Sequence, residues 1–100
     1  MTTPLSLDTG RRADDSVVLT VTGEIDLSNV ASFDLALEEA IAHTGGDVVT
    51  VDLTAVQYLD SGAINALFSH ADNIRVVTNT LLLPVLTVSG LTKVVHVEPV

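Results

Sequence analysis

The sequence contains no cysteine. Disulfides, thiolate catalysis and cysteine zinc sites are excluded together, and the redox compartment leaves no mark on the composition. Basic residues are scarce as well: Arg11, Arg12, Arg75 and Lys93 stand against 13 acids, for a formal charge of −9. The four are dispersed rather than gathered on one stripe, which argues against nucleic acid as a partner. Acidity of this kind serves solubility. Long apolar runs are missing too. The longest, such as "LLLPVL", fall far short of the ~20 residues needed to span a bilayer, so no membrane partner is expected. The opening "MTTPLSLDTG" lacks the basic-then-apolar order of a secretory signal, and cytoplasm is the expected location. There is no H-E-x-x-H, no histidine pair at i, i+4, no D-x-D-x-D-G loop and no G-x-x-x-x-G-K-S/T. No metal ligand set, no bound nucleotide and no other cofactor is therefore expected.

What remains is a chain of 100 residues, 47% hydrophobic and 17% charged. That balance suits a folded protein with one hydrophobic core. No repeat, low-complexity tract or linker divides it, so residues 1–100 read as a single domain. "DDSVVLTVTGEID" alternates Val17, Leu19 and Val21 against Val18, Thr20 and Thr22, which predicts a strand over 16–22 punctuated by Gly23, with a weaker strand over 4–8 and "TGRRADD" as the loop between them. From Ser28 the period lengthens. Val30, Phe33, Leu37 and Ala40 or Ile41 mark an amphipathic helix capped by Ser28 and closed by "HTGG".

"DVVTVDL" returns to period two, with Val49, Val51 and Leu53 facing the core. After "TAVQYLD", Ile64, Leu67, Phe68 and Ala71 predict a second helix over 62–71, with Ser61 or Asp60 at its cap. "NIRVVT" reads as a short strand, "LLLPVLTVSGL" as a third helix with Pro84 in its first turn and Gly90 as a left-handed stop, and "KVVHVEP" as a last strand or tail. The fold expected is α/β: a small mixed β-sheet of four to five strands with about three helices packed mainly on one face. The third helix carries more apolar residues over 81–88 than one face requires, which predicts a surface for self-association or partner docking.

Ser61, in "QYLDSGAINALF", invites three readings. As a hydrolase nucleophile it lacks the first glycine of G-x-S-x-G, and His43, His70 and His96 are scattered singly. As a helix cap it satisfies an orphan N–H. As a phosphoacceptor it places new charge near the positive end of a helix dipole and its free N–H groups, and beside Asp60, where a docked protein meets repulsion.

Taken in order, "VTGEIDLSNVASFDLALEEAI", "VVTVDLTAVQYLDSGAINAL", "VVTN" and "LTVSGL" resemble the STAS domain of bacterial anti-sigma factor antagonists, over about 16–97. The resemblance implies a non-enzymatic regulator that binds an anti-sigma factor kinase and releases its sigma factor. The kinase supplies ATP and phosphorylates the chain, and a phosphatase reverses the switch. It makes Ser61 the phosphorylation site. It assigns partner binding to Asp60, Gly62 and Asn65 at the start of the second helix, and to Asp26 and Ser28 in the 24–29 loop. STAS domains also serve as non-phosphorylated scaffolds, in stress-signalling assemblies or as accessory subunits of transport ATPases. Here "DSGAI" stands where the family pattern is closer to D-S-S-G-L, the connection from Ser61 to "RVVTN" is shorter than usual, and "TLLLP" is more apolar.

Overall fold

The computed structural model describes residues 4–100. Five strands and three α-helices follow one another as β1 (Ser6–Arg11), β2 (Val17–Ile25), α1 (Val30–His43), β3 (Val49–Leu59), α2 (Ser61–Ser69), β4 (Ile74–Thr78), α3 (Leu83–Val88) and β5 (Val97–Pro99), with short 3₁₀ turns at Ala71–Asn73 and Leu91–Lys93. The strands lie side by side in sequence order, β1-β2-β3-β4-β5. β1 runs antiparallel to β2, and every later pair is parallel.

Each parallel step moves sideways in the same direction through one helical connection. Right-handed crossovers then deliver all three helices to the same face of the sheet. This is the mixed sheet with one-sided helices expected from the sequence. Its covered face is the apolar one: Leu19, Val21, Val49, Val51, Leu53 and Val76 are fully buried against Phe33, Leu37, Leu67 and Leu86. On the opposite face Thr20, Thr22, Asp52 and Val77 are only partly covered. Thr50 is buried there because Arg75 lies over it, its Nε donating to Thr50 Oγ1 at 2.8 Å.

Several boundaries differ from those expected. β1 occupies 6–11 rather than 4–8, because Leu7, Thr9 and Arg11 find register with Val21, Leu19 and Val17. β2 does not stop at Thr22. Gly23, read as punctuation, sits inside the strand at φ 95°, at a bulge that carries β2 on to Ile25. β3 likewise runs through "TAVQYL" to Leu59. Between the pairs Thr20↔Asp52 and Ile25↔Leu59, β3 spends two residues more than β2, and these irregularities break its period-two burial. Asn79 holds the irregular stretch: its Nδ2 faces the carbonyls of Leu53 (3.5 Å), Thr54 (3.1 Å) and Val56 (2.9 Å). Its Oδ1 accepts from Leu82 N–H at 2.9 Å, tying the bulge to the entry of α3.

The helices also settle differently in detail. α1 buries Phe33, Leu37 and Ala40 as its period predicts. Its cap position belongs to Asn29 and not to Ser28, whose hydroxyl turns back to Asp26 instead. α2 buries Ala63, Ala66 and Leu67, while Ile64 is half-buried and Phe68 is exposed. The alanines decide this rotation, since their small size lets α2 lie close to the sheet. The helix ends at Ser69, so Ala71 falls in the following 3₁₀ turn. In α3 Pro84 does stand in the first turn, and Gly90 does adopt φ 90°. Leu82, Leu86 and Leu91 are buried, but Leu81 is 69% and Val88 87% exposed, so the apolar surplus does lie outside the core. Among the described residues no helix is long and apolar enough to cross a membrane.

Candidate functional site at the carboxyl ends of β2 and β3

Parallel strands deliver the loops that follow them to one edge of the sheet, where α/β proteins place their sites. Here Ile25 pairs with Leu59, and Asp60 N–H donates to the Ile25 carbonyl at 3.1 Å. The turn over 26–29 and the start of α2 are thereby locked side by side. Asp26, Ser28, Asp60 and Ser61, far apart in sequence, share one edge.

The turn is built from its own polar side chains. Asp26 Oδ1 accepts from Ser28 N–H at 2.9 Å and from the Ser28 hydroxyl. These bonds, the hydroxyl's first and the backbone N–H second, hold the Asp26 carboxyl below the usual aspartate range. Asn29 closes the loop from within: its Oδ1 accepts from Asp26 N–H and its Nδ2 donates to the Glu24 carbonyl, both at 2.9 Å. Leu27, between the two polar residues, has no such role and is 85% exposed.

At the head of α2, Asp60 is the N-cap. Its Oδ1 accepts from Gly62 N–H at 2.9 Å and Ala63 N–H at 3.2 Å. Ser61 is therefore the first helical residue, exposed, and not the cap. This narrows the expectation that a group on Ser61 meets free N–H donors: the Asp60 carboxylate already occupies those of Gly62 and Ala63, while the helix dipole still favours added negative charge. Among the described residues the Ser61 side chain has no hydrogen bond to a histidine or carboxylate.

Gly62 faces Val30 of α1 at this edge. A Cβ added there stands 3.2 Å from Asp60 Oδ1 and 3.5 Å from Val30 Cγ2. Asn65, one turn further along α2, is exposed and lines a shallow groove between the helices, of about 290 Å³, with Val30, Ala31, Asp34, Gly62 and Ser69. Each residue singled out from the sequence thus lies along this edge or in the groove that leads from it. Sequence reasoning passed over the α1 wall of that groove and over Leu27. The signal for Leu27 was present, as an apolar residue inside the polar turn "DLSN".

The chain was compared with known proteins. A family model described as "Mlab, STAS domain" matches residues 9–97. No curated protein matches the chain. Among solved structures, an anti-sigma factor antagonist from Mycobacterium paratuberculosis superposes with a TM-score of 0.87 at 21% identity, covering 97% of this chain and 87% of that one. The anti-sigma factor antagonist SpoIIAA in its unphosphorylated form gives 0.72 at 14% identity, covering 93% and 88%. A STAS-domain antisigma-factor antagonist from Rhodobacter sphaeroides gives 0.52 at 18% identity, covering 74% and 84%. At such identities the structural likeness is one of fold, and it is the family match over 9–97, on a sheet of the same architecture, that establishes that this chain belongs to the STAS-domain family.

Proposed function

We propose that the chain is an anti-sigma factor antagonist whose docking surface is the edge formed by the 26–29 turn and the head of α2, and that phosphorylation of Ser61 switches docking off. The observation that carries this reading is the position of Ser61: exposed, first in its helix, and relieved of capping duty by Asp60. Its hydroxyl can accept a phosphate without loss of a bond that holds the fold. Because Asp60 already holds the Gly62 and Ala63 N–H groups, the added charge of about −1.5 to −2 stays on the surface beside another carboxylate. A partner seated over Ser61 meets that charge directly. In the same reading Leu27 supplies an apolar contact, Asp26, Ser28, Gly62 and Asn65 line the surface, and the partner is an anti-sigma factor kinase that brings its own ATP, with a phosphatase to reset the chain.

The test is intact-mass and site mapping after incubation with candidate anti-sigma factor kinases and Mg-ATP. One added phosphate on Ser61, with release of the complex, is the expected outcome. Ser61→Asp weakens binding and Ser61→Ala preserves it; equal affinity of the two variants sinks the switch. The second reading, a scaffold or an accessory subunit of a transport ATPase, is favoured by the same occupancy of the helix-end donors, since Asp60 leaves no obvious cradle for a phosphate. A stable complex with no phosphate on Ser61 selects it. Labelling of Ser61 by a serine-directed organophosphate, by contrast, would support a hydrolase.

A further inference from the structure

We propose that Asp34, Glu38 and His70 form a three-point site for a borderline transition-metal dication of the Zn²⁺ class, clamping α1 to the end of α2. Asp34 and Glu38 stand at i and i+4 on α1 and therefore share one face. His70 closes α2 at its C-cap position and leans across to that face. Its Nε2 lies 2.9 Å from Asp34 Oδ1, and one ligand atom from each of the three residues lies within 4.8 Å of the other two.

Asp34 and His70 alone make an ordinary hydrogen bond between the two helices. Glu38 is what distinguishes the site, because it adds a third donor to the same point. In a tetrahedral zinc centre, bonds of ~2.0–2.1 Å separate neighbouring donors by about 3.3–3.4 Å. The 2.9 Å edge opens slightly and the Glu38 carboxylate, on an exposed side chain, swings in to meet that geometry. The less mobile partner is the histidine, whose side chain is only 17% exposed against 41% for Asp34. One imidazole and two carboxylates, with a fourth position open to water, are a donor set that zinc accepts. The ring binds through Nε2 as neutral imidazole with its proton on Nδ1, so an imidazolium gives its Nε2 proton to solvent and an Nε2–H tautomer shifts its proton to Nδ1 when the ion enters. No lysine or arginine among the described residues pairs with Asp34 or Glu38, and the formal charge of −9 raises the local concentration of cations. The site lies outside the short motifs by which metal ligands are read from a sequence, because it joins two helices rather than two positions of one.

The ion's place in the molecule has a consequence. Asp34 also lines the groove that begins at Gly62, the residue after Ser61, so the clamp sets the spacing of α1 and α2 along that groove. The metal site stands independently of the switch proposal, since it is tested with the metal alone.

Isothermal titration of the full chain with ZnCl₂ is expected to saturate at one ion per chain and to accompany a dose-dependent rise in Tm. Glu38→Gln and His70→Gln each weaken that affinity at least tenfold, while His43→Gln and His96→Gln leave it unchanged. Glu38→Gln alters an exposed side chain, so its folding is not in question. Mg²⁺ at equal concentration produces no comparable shift. Absence of a one-to-one isotherm, an affinity unchanged in either Glu38→Gln or His70→Gln, loss through His43 or His96 instead, or an equal response to Mg²⁺ would each overturn the proposal.

Discussion

Neighbouring residues divide the labour at the head of α2, and the division is measurable. Asp60 holds two N–H groups, so Asp60→Ala is expected to cost about 0.5–2 kcal/mol. Ser61→Ala, which removes no side-chain hydrogen bond to the described residues, stays within about 0.5 kcal/mol. Chemical denaturation of the two variants distinguishes them, and the reverse order would restore Ser61 as the cap. In the facing turn, the Ser28 hydroxyl and N–H hold the Asp26 carboxyl below its usual range. The folded pKa is thus depressed relative to the unfolded one. The resulting stabilisation is complete above the unfolded value, ~3.9 for aspartate, and is lost as pH falls through the folded value. Ser28→Ala therefore lowers stability at neutral pH, and its difference from the parent chain narrows below about pH 4. An NMR titration should show Asp26 moving up in that variant. Leu27→Ala touches neither network and is expected to weaken partner docking with stability unchanged.

At the scale of elements, Asn79 joins β3 to α3. Its amide faces the carbonyls of Leu53, Thr54 and Val56 and accepts from Leu82 N–H. Truncation to alanine removes these side-chain bonds, at roughly 1–3 kcal/mol where a buried group is left unsatisfied. Asn79→Ala is expected to lose about that much in urea denaturation. α3 itself presents two opposite surfaces. Leu86 is fully buried, so Leu86→Ala should cost about 2–5 kcal/mol. Val88→Lys, on the solvent side, should change stability by less than about 0.5 kcal/mol. The same elements show what the sequence made legible. Phe33, Leu37 and Ala40 announce α1 at helical spacing, and Gly90 announces the stop after α3. β3 was read as ending at Leu53 because its bulges destroy the alternation by which strands are recognised. The burial of Ala63 and Ala66 was not legible, because alanines carry little hydrophobic signal.

For the whole molecule, the sequential strand order gathers the candidate site on one edge of the sheet. Loops after β2 and β3 emerge together because the strands are parallel and adjacent, while the helices remain on one face and leave the other partly covered. The exposed Leu81, just before α3, and Val88, at its end, lie away from the 26–29 turn in sequence and on a different crossover. If the self-association expected of the 81–88 segment is a property of the chain, sedimentation velocity will show a concentration-dependent dimer that Val88→Lys disperses. A monomer at every concentration removes that expectation without touching the proposal for Ser61.

The order of strands and helices, the apolar faces of α1 and β3, the general place of Ser61 at a helix start and the family resemblance were all determined by the sequence, because each rests on local periodicity or on a contiguous motif. The identity of the cap was not, since aspartate and serine are comparably good N-caps until backbone direction assigns Asp60 to the Gly62 and Ala63 N–H groups. Nor was the meeting of Asp26 with Asp60, the bulged course of β3 under Asn79, or the approach of His70 to Asp34 and Glu38. These depend on strand register and helix crossing, which bring together residues that no sequence spacing relates, and only the tertiary structure decided them.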